Sequence, residues 1–189
     1  MPHLIGERVM LREYRDSDLP EIRGWVNNAE ATQHLTGLFD PPHTEQMTRD
    51  FLDSVLIRKN PEMFHFIIAD CKNQMYLGQI DLRVKDRVAG RADFGIVIPD
   101  PKRRGKGYGS EAIRLLLEFS FNRINLHRIE LEVYADNSNA IAVYRNLGFA
   151  EEGRHRDYYF RDGSYHDALV MAVLRNEYQQ RNVAEGASF

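Results

Sequence analysis

Apolar and polar side chains alternate in the first structured segment that the sequence predicts. In GERVMLREY, Val9 and Leu11 alternate with Arg8, Met10 and Arg12. A period of two residues places successive side chains on opposite faces of an extended chain. The pattern therefore predicts a first strand.

The sequence predicts two helices after this strand. RDSDLPEIRGWVNN offers Ser17 as an N-cap and places Pro20 in the first turn of a helix. PPHTEQMTRDFLDSVLIRK begins after a proline pair and offers Thr44 as the cap of a second helix. The apolar residues of this second segment have the spacing of a helix with one buried face: Met47, Phe51 and Val55, with Leu52 and Leu56 alongside.

Extended segments dominate the middle of the chain. The β-rich runs MFHFIIAD, MYLGQIDLRV and RADFGIVI are separated by the turn-like CKNQ and KDRVAG, which predicts three meandering strands. A helix is predicted from Ser110 and another strand at RIELEVYAD. NSNAIAVYRNLGF predicts a short helix capped by Asn137 or Ser138 and ended by Gly148. The C-terminal segment GRHRDYYFRDGSYHDALVMAVLR predicts a hairpin around the Asp162-Gly163 turn.

The chain has the size and composition of one globular domain. It has 189 residues, of which 43% are apolar and 28% are charged, values typical of folded proteins. We expect a single domain over residues 1–178 and a frayed tail over 179–189. The apolar runs are too short to span a bilayer, and the N-terminus lacks the apolar core of a signal peptide. With the single Cys71, which fits a reducing compartment, these features predict a cytoplasmic protein.

The overall charge is weakly acidic. A net charge of −3 gives no global attraction to nucleic acid or to an anionic membrane, so neither is expected as a partner. An anionic ligand would have to be captured locally. The seven histidines show no metal-ligand spacing, so no metal site is expected.

Positive charge is concentrated in PKRRGKGYGSEA, at 101–112, between a predicted strand and a predicted helix. Four cations and three glycines fall within its first nine residues. A helix N-terminus presents unpaired N–H groups, and glycines let the backbone approach a phosphate closely. These features favour a pyrophosphate ligand over a plain solvated loop. The spacing fits neither the P-loop, which needs Ser or Thr after Gly-Lys, nor a dinucleotide fingerprint after a first strand.

The segment resembles the acyl-CoA-binding motif of the GNAT superfamily of N-acetyltransferases. The family pattern, Gln or Arg followed by x-x-G-x-G/A, is met by RGKGYG at 104–109. LEVYADNSNAIAVYRNLGF is similar to the strand, helix and Y-x-x-x-G-F ending that follow the motif in this superfamily. LIGERVMLREYRDSDL resembles the start of the subgroup that includes ribosomal-protein N-terminal acetyltransferases and spermidine acetyltransferases. The resemblance covers residues 4 to 178.

The resemblance implies a fold and a co-substrate. The fold class is α/β (α+β), with a mostly antiparallel, twisted central sheet, splayed middle strands and helices on both faces. Acetyl-CoA is the implied co-substrate, with its pantetheine arm pairing with the backbone of Ile96, Val97 and Ile98. Asn137 matches a family position that contacts the cofactor, although an ordinary N-cap would explain it equally well. The residues expected around the pyrophosphate are Arg103, Arg104, Gly105, Lys106, Gly107, Tyr108, Gly109 and Ser110.

The resemblance also implies catalytic residues. Acetyl transfer to an amine needs a general base for the amine and a general acid for the leaving thiolate. Tyr144 matches the family tyrosine that acts as the acid, whereas a tyrosine on a short helix is otherwise often core with a satisfied hydroxyl. Glu132 is the favoured base and Asp93 its rival, and an ordered water relay is a third possibility. Strand alternation would also explain Glu132 as a residue of a solvated sheet face.

Two classes of function are consistent with these residues. The first is acetyl transfer from acetyl-CoA to a primary amine by direct attack, the acceptor being a protein N-terminus, a polyamine, or an amino sugar or antibiotic amine. The second is an acyl-CoA-binding sensor without turnover. The acceptor and the oligomeric state, a dimer or larger in relatives, stay open. Trp25 and the aromatics of RDYYFRDG are equally consistent with core, acceptor pocket and oligomer interface.

Overall fold

The computed structural model describes residues 3–35 and 37–184, apart from the side chains of Leu38 and Ala184. Its strands are β1 (Leu4–Ile5), β2 (Val9–Arg12), β3 (Met63–Asp70), β4 (Tyr76–Asp86), β5 (Arg91–Val97), β6 (Arg128–Tyr134), β7 (Ala150–Arg161) and β8 (Ser164–Leu174). Its helices are α1 (Leu19–Val26), α2 (Ala29–Thr32), α3 (Glu45–Leu56), α4 (Tyr108–Glu118), α5 (Ser138–Asn146) and α6 (Arg175–Ala184). None of the helices within the described residues is long and apolar enough to cross a bilayer.

The strands form one mixed sheet in the order β1-β2-β3-β4-β5-β6-β8-β7. The pairs β1–β2, β2–β3, β3–β4, β6–β8 and β7–β8 are antiparallel. β5 and β6 pair in parallel, Arg91–Asp93 with Arg128–Glu130. The prediction of a mixed α/β fold with a mostly antiparallel sheet is confirmed.

The chain divides into two compact units. The first comprises the residues up to Arg83 together with Gly95–Leu116, and the second comprises Val84–Phe94 together with the residues from Leu117 onwards. The single domain over 1–178 stays a prediction.

The core of the first unit is formed by α1 and α3 packing on β2, β3 and β4. Trp25 of α1 is 4% exposed, and its indole N–H donates to the Tyr76 hydroxyl at 2.9 Å. Leu52 of α3 and Ile67 of β3 belong to the same buried cluster. Trp25 is therefore a core residue with its polar atom satisfied. α3 begins as predicted, because the Thr44 hydroxyl accepts from the Met47 amide.

Burial of β2 is more complete than its alternating pattern indicates. All four of its residues are buried, including Arg12, which is 3% exposed. The Arg12 guanidinium donates to both carboxylate oxygens of Asp18, at 2.7 and 2.9 Å. The predicted N-cap Ser17 is wrong, because Ser17 lies inside a short 3₁₀ turn, Asp16–Asp18, and α1 begins only at Leu19.

The second unit carries the C-terminal hairpin. β7 and β8 are joined at Asp162-Gly163, whose φ angles of 51° and 80° are those of the predicted turn. Gly148 ends α5 with a φ of 94°, also as predicted. α6 extends to Ala184, into the segment predicted to fray, and its Tyr178 packs against Phe121. The frayed tail over 179–189 stays a prediction. Residues 185–189 lie outside the described part of the chain.

Candidate active site

The predicted phosphate segment lies in the first unit, between the end of β5 at Val97 and the start of α4 at Tyr108. Asp100 caps a short 3₁₀ turn, Pro101–Arg103, by accepting from the Lys102 amide. The chain then passes through Gly105 and Gly107, whose φ angles are 71° and 83°. These left-handed conformations explain why glycine occupies both positions.

Backbone amides are available along this segment. The amides of 105–107 donate to no described residue. Those of 108–110, in the first turn of α4, have no intrahelical acceptor because of helix geometry. A row of free donors at the N-terminus of a helix is a cradle for an anion such as a pyrophosphate.

The four cations of the segment divide into two kinds. The Arg103 guanidinium donates to the Tyr76 carbonyl oxygen, and the Arg104 guanidinium donates to the carbonyl oxygens of Ile98 and Pro99. These two side chains therefore hold the loop in place as well as adding charge. Lys102 and Lys106 are exposed and have no ion-pair partner among the described residues.

A further cation, Arg8, reaches the segment from the turn before β2. Its guanidinium donates to the Lys106 carbonyl oxygen at 2.8 Å and to Glu111 at 3.0 Å, and it lies over the Tyr108 ring. Burial alone would raise the pKa of Glu111, but hydrogen bonds from the Arg8 and Val9 amides and from the Arg8 guanidinium lower it. Sequence reasoning missed Arg8 and Glu111, because only the fold joins positions so far apart in the chain.

Residues 96–98, whose backbone is predicted to pair with pantetheine, are closely packed at the end of β5. A methyl group on Gly78 of β4 would collide with the Val97 carbonyl oxygen, so this glycine allows the two strands to approach. The Ile98 carbonyl oxygen, an expected partner of pantetheine, already accepts from Arg104 at 2.9 Å. Gly109 faces Ile96 and Ile98 at ordinary contact distances.

Tyr144 lies on α5 in the second unit, in a cluster of three aromatic rings. Its ring packs edge-on against Phe94 and Phe149, at 6.0 and 5.8 Å between centroids. Burial raises the pKa of Tyr144 to about 12. The residue is half-buried, and its hydroxyl makes no hydrogen bond to any described residue. The alternative of a core tyrosine whose hydroxyl is satisfied by the protein is therefore not met, and the protonated phenol is free to donate.

The two candidate bases have different surroundings. The Asp93 carboxylate of β5 lies 3.0 Å from the Lys85 ammonium group, which also lies 3.5 Å from Glu130. Glu130 is in turn paired with Arg128 at 2.9 Å. Asp93 thus belongs to a network of charge pairs. The side chain of Glu132 on β6 is 38% exposed, as strand alternation predicts opposite the buried Leu131 and Val133.

Glu132 has neighbours on β7. The Tyr158 hydroxyl donates to Glu132 Oε1 at 3.3 Å, and His155 Nε2 lies 3.9 Å from the same oxygen. Tyr158 and Phe160 belong to the aromatic run RDYYFRDG, for which the sequence left core, acceptor pocket and oligomer interface as alternatives. Their exposed fractions are 49% and 60%. These two aromatics are therefore surface residues.

Asn137 is the N-cap of α5, because its side chain accepts from the Ala140 amide at 3.2 Å. Its contact with a cofactor stays a prediction. The structure gathers Ile96–Ser110 in the first unit, whereas Asp93, Glu132, Asn137 and Tyr144 lie in the second. Across the described ranges, no group of three His, Cys, Asp or Glu side chains is arranged to hold a metal ion.

Comparison with known families identifies the class of protein. Residues 8–150 match the model of the acetyltransferase (GNAT) domain. The chain therefore belongs to the GNAT acetyltransferase family, and the prediction of an acetyl-CoA-dependent N-acetyltransferase is confirmed.

Similar proteins span nearly the whole chain. It is 29% identical to the spermidine N(1)-acetyltransferase of Vibrio cholerae over 94% of this chain and 99% of that protein. It is 28% identical to the spermidine N(1)-acetyltransferase of Escherichia coli K12, over 94% and 92% of the two chains. The crystal structure of the Vibrio cholerae spermidine N-acetyltransferase with CoA and spermine superposes with a TM-score of 0.81 at 27% identity, covering 90% of this chain and 98% of that one.

Proposed function

We propose that this enzyme transfers the acetyl group of acetyl-CoA to a primary amine of a polyamine. Two relatives that match along almost their full length are spermidine acetyltransferases, and a similar structure holds CoA and spermine. The net charge of −3 also favours a polycationic acceptor over an anionic one.

The row of free amides at 105–110 is the observation that carries the proposal. In this account the pyrophosphate of acetyl-CoA accepts hydrogen bonds from these amides, and Arg8, Lys102 and Lys106 offset its charge. The backbone of 96–98 pairs with the pantetheine amides. Asn137 contacts the cofactor in addition to capping α5.

Glu132 and Tyr144 carry the proton transfers. Glu132 takes a proton from the acceptor ammonium group, and the neutral amine attacks the thioester carbonyl carbon. As the C–S bond breaks, the CoA thiolate takes the phenol proton of Tyr144, whose pKa of about 12 keeps that proton in place until the thiolate forms. The attacking nitrogen loses its second proton to water, and the phenolate is reprotonated from solvent. The Asp93 carboxylate is held by the Lys85 ammonium group at 3.0 Å, whereas one oxygen of Glu132 has no partner among the described residues, and this difference favours Glu132 as the base. A water relay between the amine and Glu132 would leave these roles unchanged.

Thiol release from acetyl-CoA tests the proposal. The purified protein is incubated with spermidine, spermine, aminoglycosides and peptides that differ in their N-terminal residue. We expect release with the polyamines, together with acetylated polyamine in the mass spectrum. Release only with peptides or aminoglycosides would contradict the polyamine acceptor. Tight acetyl-CoA binding without release across the panel would favour the sensor function instead.

A further inference from the structure

The carboxylate of Glu132 is the centre of a small cluster on the second unit. Glu132 Oε1 accepts from the Tyr158 hydroxyl at 3.3 Å and lies 3.9 Å from His155 Nε2. The rings of His155 and Tyr158 stack at 4.9 Å with 28° between their planes. One oxygen of Glu132 is thus engaged, and the other has no partner among the residues that the structure describes.

An irregularity in β7 accompanies this arrangement. β8 lies between β6 and β7 in the sheet, so β7 side chains must reach past a strand to contact Glu132. The register of β7 on β8 shifts between His155 and Tyr159. Within the shift, Asp157 has a φ of 51°, and its amide donates to Asp167 at 3.0 Å. Bulges re-aim side chains and are frequent beside active sites, as are residues held in sparsely populated backbone conformations.

We propose that Tyr158 and His155 are positioning residues that orient the carboxylate of Glu132. This inference rests on the proposed function, in which Glu132 is the base. The Tyr158 hydrogen bond fixes one carboxylate oxygen and leaves the other free to accept the amine proton. The His155 ring stacks on the Tyr158 ring and so holds the phenol in place beside the same oxygen.

The electrostatics of the neighbouring groups agree with this role. The hydrogen bond to Glu132 raises the pKa of Tyr158, as expected for a phenol that donates to an anion. The charge of Lys85 opposes that rise, and the charge of Glu132 contributes to a raised pKa at Tyr159. His155, Tyr158 and Tyr159 are therefore the titratable groups beside this carboxylate, and Lys85 acts on Tyr158. Losing the Tyr158 donor releases the oxygen that it holds.

Steady-state kinetics of Tyr158→Phe and His155→Gln test the proposal, with spermidine as acceptor. We expect kcat to fall about tenfold for Tyr158→Phe, because a hydrogen bond to a charged group is lost. KM for acetyl-CoA stays unchanged in both variants, and His155→Gln also lowers kcat because the ring that stacks on Tyr158 is lost. Tyr165→Phe is the matched control, since Tyr165 is an exposed tyrosine on the same hairpin.

Glu132→Gln separates failure of this inference from failure of the proposed base. If Glu132→Gln loses turnover while Tyr158→Phe and His155→Gln behave like Tyr165→Phe, the positioning role is wrong and the base stands. If Glu132→Gln turns over like the wild type, both are wrong.

Discussion

Tyr144 offers a protonated phenol that no described residue engages. Its environment raises its pKa to about 12, and its hydroxyl has no hydrogen-bond partner among the described residues. The residue is half-buried, so a ligand can reach it. The sulfur of CoA is the ligand atom that would accept the phenol proton in the proposed mechanism.

Replacing Tyr144 by Phe keeps the ring cluster with Phe94 and Phe149 and removes only the donor. We expect kcat to fall about 100-fold, in the range of general acid catalysis, with the affinity for acetyl-CoA unchanged. Because the phenol loses its proton only near its raised pKa of about 12, this group should cause no loss of activity at neutral or mildly alkaline pH. Steady-state rates and a pH profile measure both effects. Equal turnover by the variant would remove Tyr144 from the mechanism.

Arg12 and Asp18 form a buried charge pair in the first unit. Both residues are 3% exposed. Asp18→Asn leaves the guanidinium buried without its anion, so the free energy of unfolding should fall by about 3–5 kcal/mol. Urea denaturation measures the loss. Asp16→Asn is the control, because Asp16 lies in the same 3₁₀ turn with its side chain exposed. A similar, small effect of both substitutions would show that the pair contributes little.

At the junction of β4 and β5, one glycine determines how closely the strands approach. Gly78→Ala would place a methyl group against the Val97 carbonyl oxygen. We expect a loss of about 1–3 kcal/mol in the free energy of unfolding, because backbone has to move to relieve the overlap. Gly95→Ala on β5 is the control, since no neighbouring atom lies within 4 Å of its added methyl group. Coinciding thermal melts of Gly78→Ala and Gly95→Ala would contradict this packing.

Strands and helices were predictable where local signals decide them. The Thr44 cap, the Asp162-Gly163 turn and the Gly148 helix end each depend on a single residue type at a fixed position. The burial of Arg12 was not predictable, because a charged residue is buried only when the fold brings it a partner such as Asp18. The extent of α6 was also missed, since its contact between Tyr178 and Phe121 is tertiary.

The candidate site shows the same limit. The cationic, glycine-rich run at 101–109 is local, so the sequence alone indicates an anion cradle. Arg8 and Glu111 are separated by about a hundred residues in the chain, and only the folded first unit joins them at 3.0 Å. The environment of Glu132 was equally hidden, because Tyr158 reaches it through an irregular part of β7.

Calorimetric titration of CoA into Gly107→Val tests the central claim, that this cradle binds the cofactor. Gly107 has a φ of 83°, and an added Cβ would lie 2.8 Å from Arg8 Nη2. The substitution is expected to add a strain of about 1–3 kcal/mol and to displace the backbone. The Kd for CoA should therefore rise by about tenfold or more. Gly153→Val, in an open and unstrained position of β7, should bind CoA like the wild type. A folded Gly107→Val protein with the wild-type Kd would contradict the assignment of this segment to acetyl-CoA.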